Sequence, residues 1–567
     1  MLDAECSNRI MSEEYADFIF QNNKIPESIL STPDFCYYII NNIYTVTYLD
    51  IKRLPDNIIH TYSYSIFPSC FGLMNLDSLE DAGVSQIQVS AFLDLTGQGV
   101  LVGIVDTGID YTHQAFKNPD GTTRIISIWD QTINDTLSSP DGFYYGTEYT
   151  QDQINFALSS TDPLSIVPSR DEIGHGTTLA GIAAGNRNIS ERFTGVAQDV
   201  KIVVVKLKRA KRYLKDFFFI PEDALCYQEN DIMLGIKYLL EIAKRLQRPI
   251  SICIGLGTSQ GPHNSTSALG NYLSSIASQQ GVGVSVAAGN EGNTNHHFSG
   301  IADVETGYIT VELNVGADTK GFSMELWGNS PNVFSIDLLS PTGRYTPRIP
   351  ARLKETRTID FLFESTRVYI DYELVESLSG NQLILIRFQN PMEGIWRFRV
   401  YSSINIEPKF NIWLPIVNFL EKDTYFLVSD PFITLTIPAN TLIPIIATCY
   451  NYVNQNLFVE ASRGYAVNDL INPSFAAPGV NMVVPAQNND YTIASGTSIS
   501  AGFTTGVVAL ILEWGIVKGN KTQLDTLQVK NFLIRGARRV PTMVYPNRDW
   551  GYGVLDVYNA FRSLTNL

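Results

Sequence analysis

Residues Ala494–Leu512 have the sequence ASGTSISAGFTTGVVALIL, and the rest of the chain is organised around them. A turn of small residues, Ser495–Thr497, precedes Ser498, and the apolar run Val507–Leu512 is typical of a buried helix. A hydroxyl at the start of such a helix lies beside unpaired backbone N–H groups and the positive end of the helix dipole. That environment suits a nucleophile whose reaction builds an oxyanion. Taken alone, the turn is more typical of a simple helix cap, so the catalytic hypothesis depends on other stretches of the chain.

The length and the charge of the chain bound its class. It has 567 residues, and a length of this order allows about two to four domains. It carries 41 basic and 57 acidic side chains, which gives a net charge of −16. This acidic balance argues against a nucleic-acid surface and against an anchor on an anionic membrane. We therefore expect neither nucleic acid nor membrane as a partner.

The cysteines and the first residues bear on the cellular compartment. The six cysteines lack CxxC and Cys/His spacings, and Cys253 and Cys449 lie within apolar runs, so we expect buried free thiols rather than a disulfide framework. The first residues lack the basic and apolar regions of a secretory signal. The sequence has no uninterrupted apolar run of about eighteen residues, so we expect no membrane-spanning helix. These features predict synthesis and retention in the cytoplasm or a compartment derived from it.

The first 74 residues have the pattern of a small α/β unit. The stretch Met11–Phe20 is compatible with a helix, whereas Tyr37–Ile40 and Ile43–Leu49 are rich in β-branched and aromatic residues. That composition favours strands. We expect a separate N-terminal subdomain.

An α/β pattern follows, with short apolar runs bounded by glycines and polar turns. Such runs predict buried parallel strands, and their alternation with helices such as Asn230–Arg248 predicts a mostly parallel sheet with helices on both faces. The predicted strands are Gly99–Val105, Lys201–Leu207, Ile250–Ile254, Val282–Ala288 and, after an interruption, Leu442–Cys449.

The interruption, about Gly307–Pro415, contains strand-like runs and no convincing helix. Short strands separated by turns predict an all-β sandwich or jelly roll. No titratable cluster stands out in it, so we interpret it as a brace or a docking module. The runs are Gly307–Val315, Phe322–Trp327, Phe334–Leu339, Thr358–Phe363, Val368–Glu376, Leu383–Phe388, Ile395–Tyr401 and Phe410–Leu414.

Four polar residues lie at the ends of predicted strands or the starts of predicted helices: Asp106, His175, Asn290 and Ser498. Each alone has an ordinary structural explanation, such as a capped loop or a loop histidine. Together they supply a hydroxyl nucleophile, a base for its proton, a carboxylate that orients the imidazole, and an amide that can donate to an oxyanion.

The motifs around these residues resemble the subtilisin-like serine proteases, or subtilases. The resemblance covers about residues 75–300 and 434–567 and is carried, in this order, by Asp106–Gly108 (DTG), Gly174–Thr177 (GHGT), Ala287–Asn290 (AAGN) and Gly496–Ser498 (GTS). It implies that Asp106 orients His175, that His175 is general base and then general acid, and that Ser498 attacks. It also implies that Asn290 and the Ser498 N–H form the oxyanion hole.

The resemblance also concerns the substrate groove. Gly255, Leu256 and Gly257 match the segment that pairs with an extended substrate through main-chain hydrogen bonds, a β-augmentation. Three residues depart from the family pattern: Gly255 replaces a serine, Gly502 a proline and Phe503 a histidine. None of these changes removes a catalytic group.

Within the subtilases, the chain resembles the germination-specific Csp proteases of clostridial spores in its short N-terminal segment and its insertion near residues 303–430. This implies a propeptide at residues 1–74, a subtilisin-like core at residues 75–302 and 431–567, and an inserted all-β jelly roll at residues 303–430. It further implies an endopeptidase, packaged in the spore, that activates the precursor of a spore-cortex hydrolase. Because all three triad residues are present, we expect activity.

The resemblance to the subtilases also implies self-processing. Residues 1–74 become an intramolecular chaperone that the enzyme cuts off at or near the Met74–Asn75 bond, and that can stay bound afterwards. Asn75–Glu80 resembles a mature start, and Ala82–Ile87 resembles the early mature segment of subtilisins. We expect a monomer whose partners are its own propeptide and a protein substrate.

Two alternatives stay open: a non-catalytic, pseudoprotease-like scaffold on the same fold, and an intracellular subtilase with another role. We expect no cofactor. Calcium is common in subtilases, but no acidic loop here has convincing ligand spacing. We interpret His296 and His297 as members of a solvated loop rather than metal ligands, and His113 as a residue at the surface or the edge of the core.

Overall fold

The structure, a computed structural model, describes residues 4–32, 35–74, 94–135, 138–303, 305–353, 355–403, 406–421 and 423–565. Asn75 and the predicted mature start, Asn75–Glu80 and Ala82–Ile87, lie outside the described residues.

Residues 4–74, here called the N-terminal unit, form a small α/β fold. Strands β1, β3 and β2 make an antiparallel sheet in that order, and β4 leaves it to pair with the rest of the chain. The helices are α1 (Ala4–Met11), α2 (Glu27–Leu30) and α3 (Ile58–Tyr62), and the strands are β1 (Tyr15–Gln21), β2 (Cys36–Ile39), β3 (Tyr44–Asp50) and β4 (Cys70–Leu73).

Two sequence expectations for this unit are wrong. Most of the predicted helix at Met11–Phe20 is strand β1, with only Met11 in α1, because Phe18 packs into one hydrophobic cluster and Ile19 into another, so both faces of the strand are covered. Cys6 and Cys36 form a disulfide, with Cα atoms 5.7 Å apart, where free thiols were expected. The other four cysteines are free and buried.

The first part of the core alternates strands with helices. Its helices are α4 (Gln151–Leu158), α5 (His175–Ala184), α6 (Arg212–Phe218), α7 (Glu229–Leu246) and α8 (Ala268–Ala277). Its strands are β5 (Leu101–Asp106), β6 (Ile125–Asp130), β7 (Thr147–Thr150), β8 (Lys201–Lys206), β9 (Tyr227–Gln228), β10 (Ile250–Ile254), β11 (Leu256–Gly257) and β12 (Val282–Ala287).

The insertion is a sandwich of two antiparallel sheets around its own apolar cluster, as the run of short strands predicts. The six-stranded sheet has the order β13-β21-β15-β19-β18-β17, and the four-stranded sheet the order β16-β20-β14-β22. The strands are β13 (His297–Ile301), β14 (Tyr308–Val315), β15 (Gly321–Gly328), β16 (Phe334–Leu339), β17 (Thr356–Phe361), β18 (Thr366–Glu373), β19 (Gln382–Gln389), β20 (Gly394–Ser402), β21 (Lys409–Trp413) and β22 (Tyr425–Phe426).

The second part of the core completes the central sheet. It adds strands β23 (Ile445–Asn451), β24 (Asn456–Leu457), β25 (Phe475–Pro478), β26 (Met482–Ala486) and β27 (Asp490–Ala494), and helices α9 (Thr497–Leu512), α10 (Thr526–Gly536) and α11 (Val557–Thr565). The nine-stranded sheet has the order β24-β23-β12-β10-β5-β8-β6-β7, with β25 beside β23. Its pairs are parallel except at the two edges, β6 with β7 and β23 with β24.

Helix α9 is the central helix of this core, and every one of its residues is buried. With the turn that follows, Thr497–Val517 is long and apolar enough, by length and composition alone, to cross a membrane, although serines and threonines interrupt its apolar run. Within the fold, 89% of its most apolar window is buried. Its apolar character is therefore used by the core.

Candidate active site

The structure brings together the three residues that the motifs single out. Asp106 ends β5, His175 begins α5 and Ser498 lies in the first turn of α9. Nδ1 of His175 lies 2.7 Å from Oδ1 of Asp106, and its Nε2 lies 3.1 Å from Oγ of Ser498. All three side chains are buried. The hydroxyl, the imidazole and the carboxylate therefore form one hydrogen-bonded relay.

Close backbone contact holds the histidine in this relay. Helix α5 begins against the loop after β5, where a Cβ on Gly176 would overlap the carbonyl oxygen of Gly108. The Gly176 N–H donates to Oγ1 of Thr107 over 2.9 Å. A glycine is therefore required after His175 for the helix to approach the strand end.

Asp171 is a positioning residue that the sequence analysis missed. Its carboxylate accepts hydrogen bonds from the N–H groups of Gly174, at 2.7 Å, and Thr177, at 2.8 Å. It thereby satisfies two of the unpaired donors at the start of α5. An aspartate four residues before the histidine was a visible signal of this cap.

The charge of Asp106 acts on the protonation of His175. Burial alone would lower the pKa of His175, but the carboxylate charge and hydrogen bond of Asp106 raise it above its ordinary value. The carboxylate Oδ1 also accepts the N–H of Thr107 over 2.8 Å. Such a pair stabilises an imidazolium that forms when the histidine takes a proton.

Asn290 follows the end of β12 and is oriented by the first residue of α9. Its Oδ1 accepts from the N–H and from the hydroxyl of Thr497, at 3.2 and 2.9 Å. Its buried Nδ2 has no hydrogen-bond partner among the described residues. A buried donor without a partner is costly, and here it is available to an oxygen that develops negative charge.

The end of the N-terminal unit occupies the groove beside these residues. Strand β4 lies between β9 and β11 and is antiparallel to both. Leu73 pairs with Leu256, Gly72 pairs with Gly257, and the Met74 N–H donates to the carbonyl of Gly255 over 3.3 Å. The segment Gly255–Gly257 thus holds an extended peptide through main-chain hydrogen bonds.

The carbonyl oxygen of Met74 lies at the centre of the site. It accepts a hydrogen bond from Oγ of Ser498, and Nε2 of His175 lies 3.1 Å from it. The peptide in the groove therefore brings its Met74 carbonyl to the hydroxyl that the motifs identify. Asn75, the other half of the predicted scissile bond, lies outside the described residues.

The three departures from the family pattern fit this packing. A Cβ on Gly255 would lie 2.5 Å from Cδ1 of Leu179 and 3.1 Å from Cε1 of His175, so a serine has no room here. Gly502 lies against the backbone of Leu179, where a Cβ would be 3.3 Å from its carbonyl oxygen. Phe503 is buried in the core.

His113, His296 and His297 are buried, so the expectation of a solvated loop for His296 and His297 is wrong. Nδ1 of His296 lies 2.9 Å from Oε2 of Glu291, and His297 lies in β13 with its ring stacked on Trp413. His113 is fully buried, and burial lowers its pKa. Among the residues that the structure describes, no group of three or more His, Cys, Asp or Glu side chains could hold a metal ion.

Comparisons with known proteins define the class. The family model for the subtilase family, peptidase S8, matches residues 97–553. The chain therefore belongs to the subtilase family, and the expected subtilisin-like α/β fold is confirmed.

One solved structure is similar over most of its length. The CspB protease of Clostridium perfringens is 32% identical, with a TM-score of 0.76, over 86% of this chain and 98% of that one. The protein is thus a subtilase serine protease by family and close to a Csp protease in structure.

Curated relatives are more distant. The C5a peptidase of Streptococcus pyogenes is 22% identical over 73% of this chain and 35% of its own length. An intracellular serine protease of Paenibacillus polymyxa is 27% identical over 46% of this chain and 61% of its own length. The chain covers between 13% and 35% of the lengths of the C5a peptidase and of a matching subtilisin-like protease of Arabidopsis thaliana.

Proposed function

We propose that the protein is a serine endopeptidase that cuts its own chain at the Met74–Asn75 bond. The observation that carries this proposal is the carbonyl of Met74, which lies within hydrogen-bond reach of both Ser498 and His175. A protease groove that holds its own chain by backbone pairing up to that carbonyl is arranged for cleavage there.

The proposed reaction uses the relay in the usual order for this chemistry. Nε2 of His175 takes the proton of Ser498 Oγ, and Oγ bonds to the carbonyl carbon of Met74. In the structure the carbonyl oxygen accepts from Ser498 Oγ, and Asn290 Nδ2 has no partner within the part of the chain that the structure describes. The oxygen therefore turns toward Asn290 Nδ2 and the Ser498 N–H as it gains the negative charge that they stabilise. The C–N bond to Asn75 then breaks, and His175 gives its proton to the new amine. A water molecule, activated by the same histidine, releases Met74 as a carboxylate and restores Ser498.

The N-terminal unit acts, in this proposal, as a propeptide. Its tail, residues 70–74, leaves the groove after the cut so that another substrate can enter, while the rest of the unit, here called its body, stays bound. Its buried Asp17 lies 2.6 Å from Nζ of Lys211 in the core, and Tyr64 donates to Glu325 of the sandwich. These contacts do not depend on the covalent link at Met74. In this proposal the sandwich therefore acts as a brace for the propeptide.

For the biological role, we infer activation of the precursor of a spore-cortex hydrolase during germination, in the spore. The similarity to the C. perfringens CspB protease over most of both chains supports this role. The complete relay of Asp106, His175 and Ser498 favours it over a non-catalytic scaffold. The likeness to an intracellular serine protease supports the other alternative, an intracellular subtilase with a different task.

The test of this role is direct. The purified full chain is incubated with a cortex-hydrolase precursor, and cleavage is followed by intact mass, with the Ser498→Ala variant as control. We expect a single cut in the precursor by the parent chain and none by the variant. Cutting of unrelated cytoplasmic proteins but not of the precursor would favour the intracellular alternative. No cut by a chain that has processed itself would contradict the germination role.

A further inference from the structure

The segment between strands β21 and β22 of the sandwich lies against the peptide in the groove. Residues 416–420, here called the strap, contain a 3-10 turn at Val417–Phe419. Nδ2 of Asn418 donates to the carbonyl of Leu73 over 3.0 Å. Ile416 and Phe419 are each 1% exposed and pack in the same cluster as Met74. The strap therefore forms a wall of the substrate groove that comes from the insertion and not from the core.

This wall faces the third residue before the proposed cut. A Cβ on Gly72 would lie 2.6 Å from Cδ1 of Ile416 and 3.5 Å from the ring of Phe419. Gly72 has no left-handed backbone conformation that would itself demand glycine. Because side chains alternate along a strand, any residue at this place would send its side chain to the same side as Met74, into the strap. The need for glycine is therefore a need for space.

Hydrogen bonds hold the backbone of the strap in place. The Val417 N–H donates to Oε1 of Glu291 over 3.0 Å, and Oε2 of the same carboxylate is paired with His296. Glu291 is buried and directly follows Asn290. The Phe419 N–H donates to the carbonyl of Ile416 over 2.8 Å and closes the turn. These bonds fix the backbone of the strap, and the Ile416 side chain is 1% exposed, so its Cδ1 can make room for an added Cβ only by displacing its packed neighbours, which a close-packed interior resists.

We propose that the strap makes this protease select glycine at the third residue before the cut bond, in its own chain and in other protein substrates. Ile416 and Phe419 are the specificity-determining residues, since their side chains occupy the space that a larger residue would need. The inference rests on the proposed endopeptidase function and names its substrate class: extended segments with glycine at that position.

The first test measures self-processing in the full chain. The rate of cleavage is compared between the parent chain and Gly72→Ala, and the same pair is compared in an Ile416→Ala background. We expect Gly72→Ala to slow cleavage by about tenfold or more, because overpacking of a fixed wall has a cost of that order. In the Ile416→Ala background we expect the two cleavage rates to differ by no more than about threefold, because the shorter side chain at position 416 leaves room for alanine at position 72.

A matched control is Leu73→Ala, whose side chain points to the opposite side of β4. Its effect on the rate should be the same in both backgrounds. Equal rates for the parent chain and Gly72→Ala would overturn the inference, and so would a ratio that Ile416→Ala leaves unchanged.

The second test separates selection from folding of the variant. The processed parent chain and processed Ile416→Ala are given a peptide of residues 69–78, SCFGLMNLDS, or the same peptide with alanine in place of glycine. We expect the parent to cut the glycine peptide about tenfold faster or more, and Ile416→Ala to lose most of this preference. Cleavage of both peptides at equal rates by the parent would overturn the inference alone. A parent chain that never cuts itself would overturn the proposed function as well.

Discussion

The tail and the body of the N-terminal unit are held in different ways. Its tail, residues 70–74, lies in the groove through backbone pairing with β9 and β11. Its body is held by side chains: Asp17 is fully buried, paired with Lys211 and hydrogen-bonded by Gln228 and Asn230, each at 3.0 Å. Backbone pairing accepts many sequences, whereas a buried carboxylate accepts only the partners built for it. The comparison indicates that the tail decides where the chain is cut and the body decides whether the cut piece stays.

The largest expected effect is on the body. Asp17→Ala leaves Lys211 as an uncompensated buried charge, and loss of one partner of such a pair costs about 3–5 kcal/mol. We expect release of residues 1–74 after cleavage, measured by size-exclusion chromatography, and a lower midpoint of urea unfolding. The control is Glu14→Ala, which removes a highly exposed pair with Lys52 and should change little. Full retention of the unit in Asp17→Ala would contradict the division between tail and body.

The next effect is on cleavage alone. Asn290→Ala removes the amide donor that we assign to the oxyanion, and loss of one such donor costs about 2.7–4 kcal/mol in subtilisin, the relative from which the figure comes. We expect self-processing slower by a factor of about 10²–10³, followed by intact mass over time. Retention of the N-terminal unit should be unchanged. If the variant cut at the parent rate, Asn290 would not act in the reaction.

A smaller effect concerns the contact of the body with the sandwich. Burial raises the pKa of Glu325 to about 7, although Tyr64, the Gly261 N–H and Trp327 donate to it. A carboxyl whose pKa is raised in the folded chain binds its proton more tightly there. Its contribution is therefore complete at pH values below its unfolded pKa and is lost as the pH rises through about 7.

We accordingly expect Glu325→Gln to remove about 1–3 kcal/mol of the decrease in unfolding free energy between pH 5 and pH 8. The neighbouring Glu376 stays in place, so the difference between parent and variant isolates Glu325. Urea unfolding at several pH values measures it. Parallel pH profiles for the two chains would show that this carboxyl does not couple to folding.

The smallest expected effect returns to the tail. Asn418→Ala removes one neutral hydrogen bond to the Leu73 carbonyl, worth about 0.5–1.5 kcal/mol. We expect self-processing slower by about threefold to tenfold and retention unchanged. Val417→Ala is the matched control, because the Val417 side chain is largely exposed and only its N–H is used. A change in retention with Asn418→Ala would contradict the claim that the body alone decides whether the cut piece stays bound.

The sequence predicted the polar side chains of the site better than the strands and contacts around them. Asp106, His175 and Ser498 could be found because each ends or begins an element with a strong local pattern. Strand β1 could not, because Phe18 and Ile19 enter different clusters and leave no polar face to mark a period of two. The contact between Asn418 and Leu73 joins residues 345 positions apart. Such a contact depends on how the sandwich packs on the core, which no local pattern encodes.

The most direct test of the central claim maps the cut in two chains. The parent and Ser498→Ala are purified in parallel, and the N-terminus and mass of each fragment are determined. We expect the parent to give one fragment that ends at Met74 and one that begins at Asn75, and Ser498→Ala to stay intact. Cleavage of Ser498→Ala at the same bond, or an intact parent chain, would contradict the account.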